Sequence, residues 1–309
     1  MRLRAIHIGY IYLLSSLLSC VAVADDAVLD KNNRNTKRLI NASGREIMEA
    51  VYREHQQYPY VYEEQSMVLI DRRGNRETRK LKRYSRVDKD LKTQFLLLFE
   101  SPDDIKGVAV LAVREKNGDT TQSLFLPAFG DVLIENGSNA VDTTFLGTDF
   151  SVEDLTSESL NDYRYERQRD SVLSDVPHYV IDVYKSAPVG ASKGDRVRRH
   201  LVVKQNLFIT QSDQFDELGR LKKRQTHHDL TPVLGNMWRS NMILMDDKFH
   251  QHQTLIKIER RVFSADYVPA KFFTKEWLFL NALDEKETEM DDVEESLPIQ
   301  ESTLEVSEL

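Results

Sequence analysis

Apolar and polar residues follow a helical period in one short stretch of this chain and a strand period over most of the rest. Ser43-Gly44-Arg45-Glu46 has the form of a capping box, serine hydroxyl to a backbone N–H and glutamate back to the cap. Ile47, Met48 and Val51 supply an apolar stripe behind it, so a helix is expected through about Gln57, ended by Pro59. Gln65–Asp71 then turns at Arg72-Arg73-Gly74-Asn75 into Glu77–Val87. Thr93–Phe99 is continuously apolar, and Ser101-Pro102-Asp103-Asp104 turns into Gly107–Val113. Runs without alternation need cover on both faces, from protein or from a ligand.

Gln122–Leu126 is a short apolar run stopped by Pro127, which cannot continue a central strand. A glycine-containing link leads to Phe145–Phe150, read as a strand end, after which Ser151 and Asp154 form a second capping box opening a short helix. Strands are expected at Tyr163–Gln168, His178–Tyr184, Arg196–Lys204, Leu207–Phe215, Leu221–His228, Trp238–Met245 and Thr254–Val262. In the last of these Ile256, Ile258 and Val262 lie opposite Lys257, Glu259 and Arg261, the period of a half-buried strand. Pro269–Leu280 closes as a short helix. About ten or eleven strands with a helix at each end and one between give a mainly β, antiparallel barrel or strongly curved sheet. No internal repeat or Gly/Ser linker divides residues 43–280, so one domain is expected there.

The ends of the chain read differently. Met1–Ala24 has Arg2 and Arg4 ahead of an apolar run from Ile11 to Val23 and ends in Ala22-Val23-Ala24, the pattern of a cleaved secretory signal. Leu17-Leu18-Ser19-Cys20 is close to a lipobox, so lipid anchoring at Cys20 competes with simple release of a periplasmic protein. Cys20 is the only cysteine, which leaves no internal disulfide and no cysteine nucleophile in the mature domain. Residues 25–42 read as a flexible polar leader, and residues 281–309, with eleven acidic residues against Lys286, as a disordered acidic tail. That tail accounts for the net charge of −8 and leaves a nearly neutral body, which excludes a nucleic-acid binder in need of a basic face.

Candidate chemistry is sparse. There is no G-x-S-x-G elbow, P-loop or dinucleotide fingerprint. His250 and His252, with Asp246 and Asp247 upstream, fall short of a converging metal-ligand set and read as turn residues; His227 and His228 point to opposite faces of a strand. Asp149, Glu153 and Asp154 form a carboxylate cluster, in which helix capping accounts for Asp154 and Asp149 without any acid–base reaction. No catalytic residue, metal or cofactor is expected. Six cations from Arg76 to Arg86 read as a solvated edge strand, the functional alternative being contact with anionic lipid head groups or an acidic partner.

Three stretches in order carry a resemblance: FLLLFESPDDIKGVAVL at 95–111, LFLP followed by FLGTDFSVEDL at 124–155, and the hairpins from VRRHLVV through WRSNMILMD to VPAKFFT. Together they resemble the outer-membrane lipoprotein-sorting (LolA-like) proteins over residues 43–280, with Gly107, Pro127, Gly147, Asp149 and Asp154 as motif positions. The resemblance implies an unclosed β-barrel with helices over its open side and an apolar cavity for lipid or lipoprotein acyl chains. It also implies a monomer that works with an inner-membrane transporter of the ABC or resistance–nodulation–division type. Leu96, Leu98, Phe125, Phe145, Trp238, Met242, Ile256 and Ile258 are the candidates for the cavity wall, ordinary core being the plain reading of each. The departures, Asp131–Ile134 where the family tends to be basic and Leu207-Phe208-Ile209-Thr210 where proline is usual, bear on cargo rather than fold. The same fold also serves lipid-sensing regulators of the cell envelope, the alternative from another functional class.

Overall fold

A computed structural model describes residues 39–281, apart from residues 57, 90–91, 117–118, 127–131, 137–143, 156–159 and 186–195. The first capping box forms as expected and opens α1, Gly44–His55: Ser43 N–H donates to Glu46 Oε2 at 2.7 Å and Glu46 N–H to Ser43 Oγ at 3.3 Å. Those bonds hold the Glu46 carboxyl below its ordinary range. α1 starts at a glycine because a Cβ on Gly44 would lie 2.8 Å from the backbone of Tyr165. Just ahead of it Leu39 is buried, and Arg167 donates to the carbonyls of Leu39, Ile40 and Ala42. The end of the expected leader is therefore part of the fold.

The strands are β1 Tyr60–Ile70, β2 Arg76–Val87, β3 Thr93–Ser101, β4 Ala109–Arg114, β5 Thr120–Leu126, β6 Val132–Asn136 and β7 Tyr163–Arg167. They continue as β8 Ser171–Leu173, β9 Val176–Lys185, β10 Arg196–Val203, β11 Ile209–Phe215, β12 Leu221–Leu234, β13 Met237–Asp247 and β14 His252–Val262. A one-turn helix, α2 (Val152–Leu155), follows β6, and a 3₁₀ turn, Ala270–Phe273, leads into α3, Lys275–Asn281. All the strands belong to one antiparallel sheet ordered β6-β5-β4-β3-β2-β1-β14-β13-β12-β11-β10-β9-β7, with β8 paired to β9 alone. The first and last strands thus meet in the middle, and the edges β6 and β7 stay unpaired with each other among the described residues. The barrel is unclosed.

The sheet has fourteen strands against the ten or eleven expected, and β6 and the three-residue β8 are the two that had no counterpart in the reading of the sequence. β1 starts at Tyr60 rather than Gln65, and β12 runs past His228 to Leu234 through Asp229 at a φ of 50°. Phe145–Phe150 is not a strand end, since only an isolated bridge from Thr144 to Ser151 forms there. The basic strand is not an edge either. β2 pairs along its length with β1 and β3, and three of its cations meet acids: Lys82 meets Glu100 and Arg83 meets Glu63 across strands, and Arg79 meets Glu77 within β2. Cross-strand pairing thus takes up part of the charge that edge protection was expected to explain.

Strand alternation sorts the side chains onto two faces. On the inner face, Met67, Leu69, Phe95, Leu97, Phe99, Val108, Val110, Met245, Ile256 and Ile258 form an apolar bed over which Phe145 and Phe150 are packed. Farther round the same face, α1 lays Ile47, Met48, Ala50 and Val51 on Tyr179, Ile181, Val183 and Val202. On the outer face, Tyr62, Tyr84, Leu96, Ala109, Leu111 and Phe125 are covered by Tyr267, Val268, Phe273 and Leu278 from the C-terminal turn and helix. β3 and β4 are apolar without alternation because protein covers both their faces. The outer face of the other strands carries charge instead: Glu166, Asp182, Arg199, Asp213, Arg224 and Asp246 lie opposite one another from β7 to β13. Arg199 and Arg224 each grip an aspartate with two nitrogens, at 2.7 and 2.9 Å and at 2.7 and 2.8 Å.

Candidate functional site: the inner face and its cover

The connection from β6 to β7 must cross the opening between the two edges, and the chain uses it as a cover. Leu146 and Gly147 take φ values of 48° and 73°, a tight turn closed by Thr148 N–H to the Phe145 carbonyl at 2.9 Å. The turn drops Phe145 and Phe150 onto the apolar bed, each worth about 1.5–3 kcal/mol of burial.

Polar bonds fix this cover from its other side. Asp149, buried, accepts from His252 Nδ1 and from Thr254 Oγ1, both at 2.7 Å, while its own N–H donates to Thr254 Oγ1 at 3.0 Å. The buried Lys223 ammonium donates to the Asp149 carbonyl at 2.6 Å, and Arg79 Nη1 to the Leu146 carbonyl at 2.6 Å. At the far end, Asp154 accepts from both the N–H and the hydroxyl of Ser151 at 2.9 Å, completing the second capping box. It also takes Gln214 Nε2 at 2.5 Å, and Glu153 takes Arg198 at 2.9 Å. Asp154 is the cap that its spacing suggested. Asp149 is not; it clamps the cover to β14 and β12.

The cavity candidates do not share one face. Phe145, Ile256 and Ile258 belong to the inner bed, whereas Leu96, Leu98 and Phe125 lie on the outer face beneath the C-terminal helix. A period of two tells which residues of a strand go together but not which set faces inward. Met242 pairs with Lys257 and His228 and is half-buried outside both groups; half-buried Trp238 gives its N–H to His55 Nδ1 at 3.2 Å. Gly107 closes the β3–β4 turn, its N–H on the Phe99 carbonyl at 2.9 Å, and Pro127 lies outside the described residues. His250 is bound to Asp247 at 2.9 Å, away from the Asp149 partner of His252.

Between the apolar bed and α1 the inner face is polar. Glu63 on β1 is buried and receives Arg261 Nε at 2.6 Å, Arg83 Nη1 at 2.9 Å and Gln65 Nε2 at 2.6 Å. Burial pushes this carboxyl up, but Arg261 and Arg83 together outweigh it and hold it at about 2. Arg239 on β13 donates to the Trp238 carbonyl at 2.9 Å and to the His55 carbonyl, at the end of α1, at 2.7 Å. His55 is kept neutral, its pKa lowered to about 4 mainly by burial; its Nε2 meets the Asn206 carbonyl at 2.9 Å while Nδ1 accepts the Trp238 N–H. His227 is lowered to about 4 by burial and by the nearby His228 and His200. Spacing alone could not reveal either grouping, because Asp149 and His252, or Glu63 and Arg261, meet only when β14 returns to the middle of the sheet.

A family model described as an uncharacterized protein matches residues 91–279. No curated protein sequence matches the chain. Among solved structures, a putative outer membrane lipoprotein-sorting protein domain from Vibrio parahaemolyticus is similar at a TM-score of 0.69 and 20% identity, covering 76% of this chain and 97% of that one. A DUF1329 family protein from Desulfovibrio piger gives 0.67 and 19% over 76% and 97% of the two chains. A LolA superfamily protein from Nitrosomonas europaea gives 0.59 and 15% over 76% and 99%. At these identities the likeness is one of fold.

Proposed function

This chain belongs to the family whose model matches residues 91–279, and because it shares its fold with an outer-membrane lipoprotein-sorting protein domain and a LolA superfamily protein, we propose that it is an exported, non-catalytic carrier that shields the acyl chains of a lipid or lipoprotein. The observation that supports this reading is the covered inner face. A broad apolar bed is roofed by one short segment, Phe145–Phe150, and fringed by the half-buried Ile105, Leu124, Leu126, Leu146 and Ile243. The roof is attached by hydrogen bonds and ion pairs rather than by a strand ladder, so it can part from the bed without breaking the sheet. An acyl chain entering beneath it removes about 0.8 kcal/mol of unfavourable hydration per methylene. Among the described residues no helix is long and apolar enough to cross a membrane. Such a carrier receives and delivers its cargo at membranes, with an inner-membrane exporter as the partner on this reading, and it works as a monomer.

Two half-buried leucine-type positions on opposite faces test the proposal. Ile243 borders the inner bed and Leu98 the outer aromatic cluster. Uptake of a fluorescent fatty-acid probe is expected to fall about tenfold or more in Ile243→Asn and to stay near wild type in Leu98→Asn. Equal uptake by both variants and the wild type contradicts the inner face as the acyl site.

A further inference from the structure

One end of the sheet carries an exposed surface that the acyl bed does not use. Ile70, Gln253, Asp246, Arg224 and Asp213 pair in one row from β1 through β14, β13 and β12 to β11, so the turns β1–β2, β13–β14 and β11–β12 project side by side past it. In each turn an aspartate accepts from the turn's own backbone, which holds its shape. Asp71 takes the N–H groups of Arg73 and Asn75 at 2.7 and 2.9 Å, and Asp247 those of Phe249 and His250, both at 2.9 Å. Asp216 takes those of Leu218 and Arg220 at 3.0 and 2.8 Å. What the turns present outward is apolar and basic. Phe249 is 47% exposed and Leu218 77%. Arg72, Arg73, Arg220 and Lys248 are exposed with them, and Glu217 is the one exposed carboxylate of the three turns. The Arg220 guanidinium stands 5.2 Å from the ring centroid of Phe249, joining two of the turns. Arg220 also meets Asp216 at 2.7 Å, and Lys248 meets Asp246; such exposed pairs are weak and leave both cations able to meet an outside anion.

Bulky apolar tips within a collar of cations fit the interface of an anionic bilayer, where apolar side chains enter the acyl boundary and Lys or Arg reach the phosphates. Leu218 and Phe249 stand on separate turns with charge beside each, an arrangement that a fluid interface accommodates better than the single apolar pocket of a protein. The acidic turn after β3, with exposed Asp103 and Asp104, leaves its pairing at Lys80 and Ser101, short of the projecting row. We propose that the β1–β2, β11–β12 and β13–β14 turns dock this protein on an anionic lipid bilayer, Phe249 and Leu218 entering it while Arg72, Arg73, Arg220 and Lys248 contact lipid phosphates. The surface is separate from the acyl bed, and the purpose of docking rests on the carrier reading. His252, which holds Asp149 of the roof segment at 2.7 Å, directly follows the turn that bears Phe249. Docking therefore sets the roof beside the membrane that supplies or receives the acyl chain.

Flotation of the full chain with vesicles of phosphatidylcholine, alone or mixed with phosphatidylglycerol, at about 0.1 M salt tests the surface. The wild type is expected to bind the mixed vesicles about tenfold more tightly than the neutral ones. Phe249→Ser combined with Leu218→Ser, and separately Arg72→Gln combined with Arg73→Gln, are each expected to weaken that binding about tenfold. Val172, 68% exposed, lies on the β8–β9 hairpin at the opposite end of the sheet, and Val172→Ser is expected to bind within about twofold of the wild type. A wild type that does not float with the mixed vesicles, or binding that survives both double variants, overturns the docking surface. An equal loss in Val172→Ser overturns it too, by assigning the binding to apolar exposure in general. None of these substitutions touches the apolar bed, so each variant is expected to take up a fluorescent fatty acid in solution as the wild type does. Uptake without vesicle binding removes the docking surface and leaves the carrier reading standing. Vesicle binding without uptake does the reverse.

Discussion

Glu63 is the residue on which the middle of the sheet depends most. It sits between β2 and β14 and neutralises an arginine from each, so removing its charge leaves Arg83 and Arg261 without their shared partner. Glu63→Gln is expected to cost about 3–5 kcal/mol at neutral pH, read as a lower urea midpoint. Its folded pKa of about 2 lies below the ordinary 4.5, so its contribution is fully present above pH 4.5 and is lost as pH falls toward 2. The wild-type advantage over the variant should therefore shrink across that window; a constant difference would show that Glu63 acts through shape rather than charge. Asp149 teaches a related point at the same scale. From the sequence it reads as one of three carboxylates near a helix start, yet its partners His252, Thr254 and Lys223 come from strands far along the chain. Local spacing identified Asp154, whose partner is three residues away, and could not identify Asp149.

Among the elements, α1 is both the most legible and the most exposed to test. Its capping box, apolar stripe and length follow from local sequence, because every interaction that starts it lies within one turn. Its docking does not. Gly44 brings the first turn to backbone contact with β7, and His55 ties the last turn to Asn206 and Trp238. Gly44→Ala is expected to cost about 1–3 kcal/mol, since the 2.8 Å clash is with backbone that cannot rotate away. An unchanged melting temperature would mean that the helix can be displaced freely. The His55 bonds need a neutral ring, because Nδ1 accepts from the Trp238 N–H. With folded values of about 4 against 6.5, His55 and His227 contribute stability that is complete above pH 6.5 and lost as pH falls through 4. Hydrogen exchange of the Ile47–Val51 amides should quicken over that interval if His55 holds the helix; protection that is flat from pH 6.5 to 4 would assign the docking to Gly44 and the apolar stripe alone. β2 marks the opposite case. A run of cations says edge strand by composition, but the neutralising acids on β1 and β3 are visible only once pairing is known.

For the whole molecule, the asymmetry of the two faces is what separates a carrier from a plain sandwich. The outer face is finished: half lies under the C-terminal helix and half is a row of paired charges that water can meet. The inner face is covered by α1 and the Phe145–Phe150 segment, with an arginine-rich zone between. Sequence periodicity showed that β3 and β4 are buried on both sides and that the sheet is antiparallel, since those signals are local. It could not say which apolar set faces inward, so Leu96, Leu98 and Phe125 were grouped with Phe145, Ile256 and Ile258, although they lie under α3. The most direct measurement of the central claim is native mass spectrometry with lipid extraction on the full chain, secreted and purified without detergent. A co-purifying acyl-containing molecule that is lost in Ile243→Asn and retained in Leu98→Asn is the expected result. A protein of bare mass that takes up no acyl probe would show that the inner apolar bed is core and contradict the carrier function.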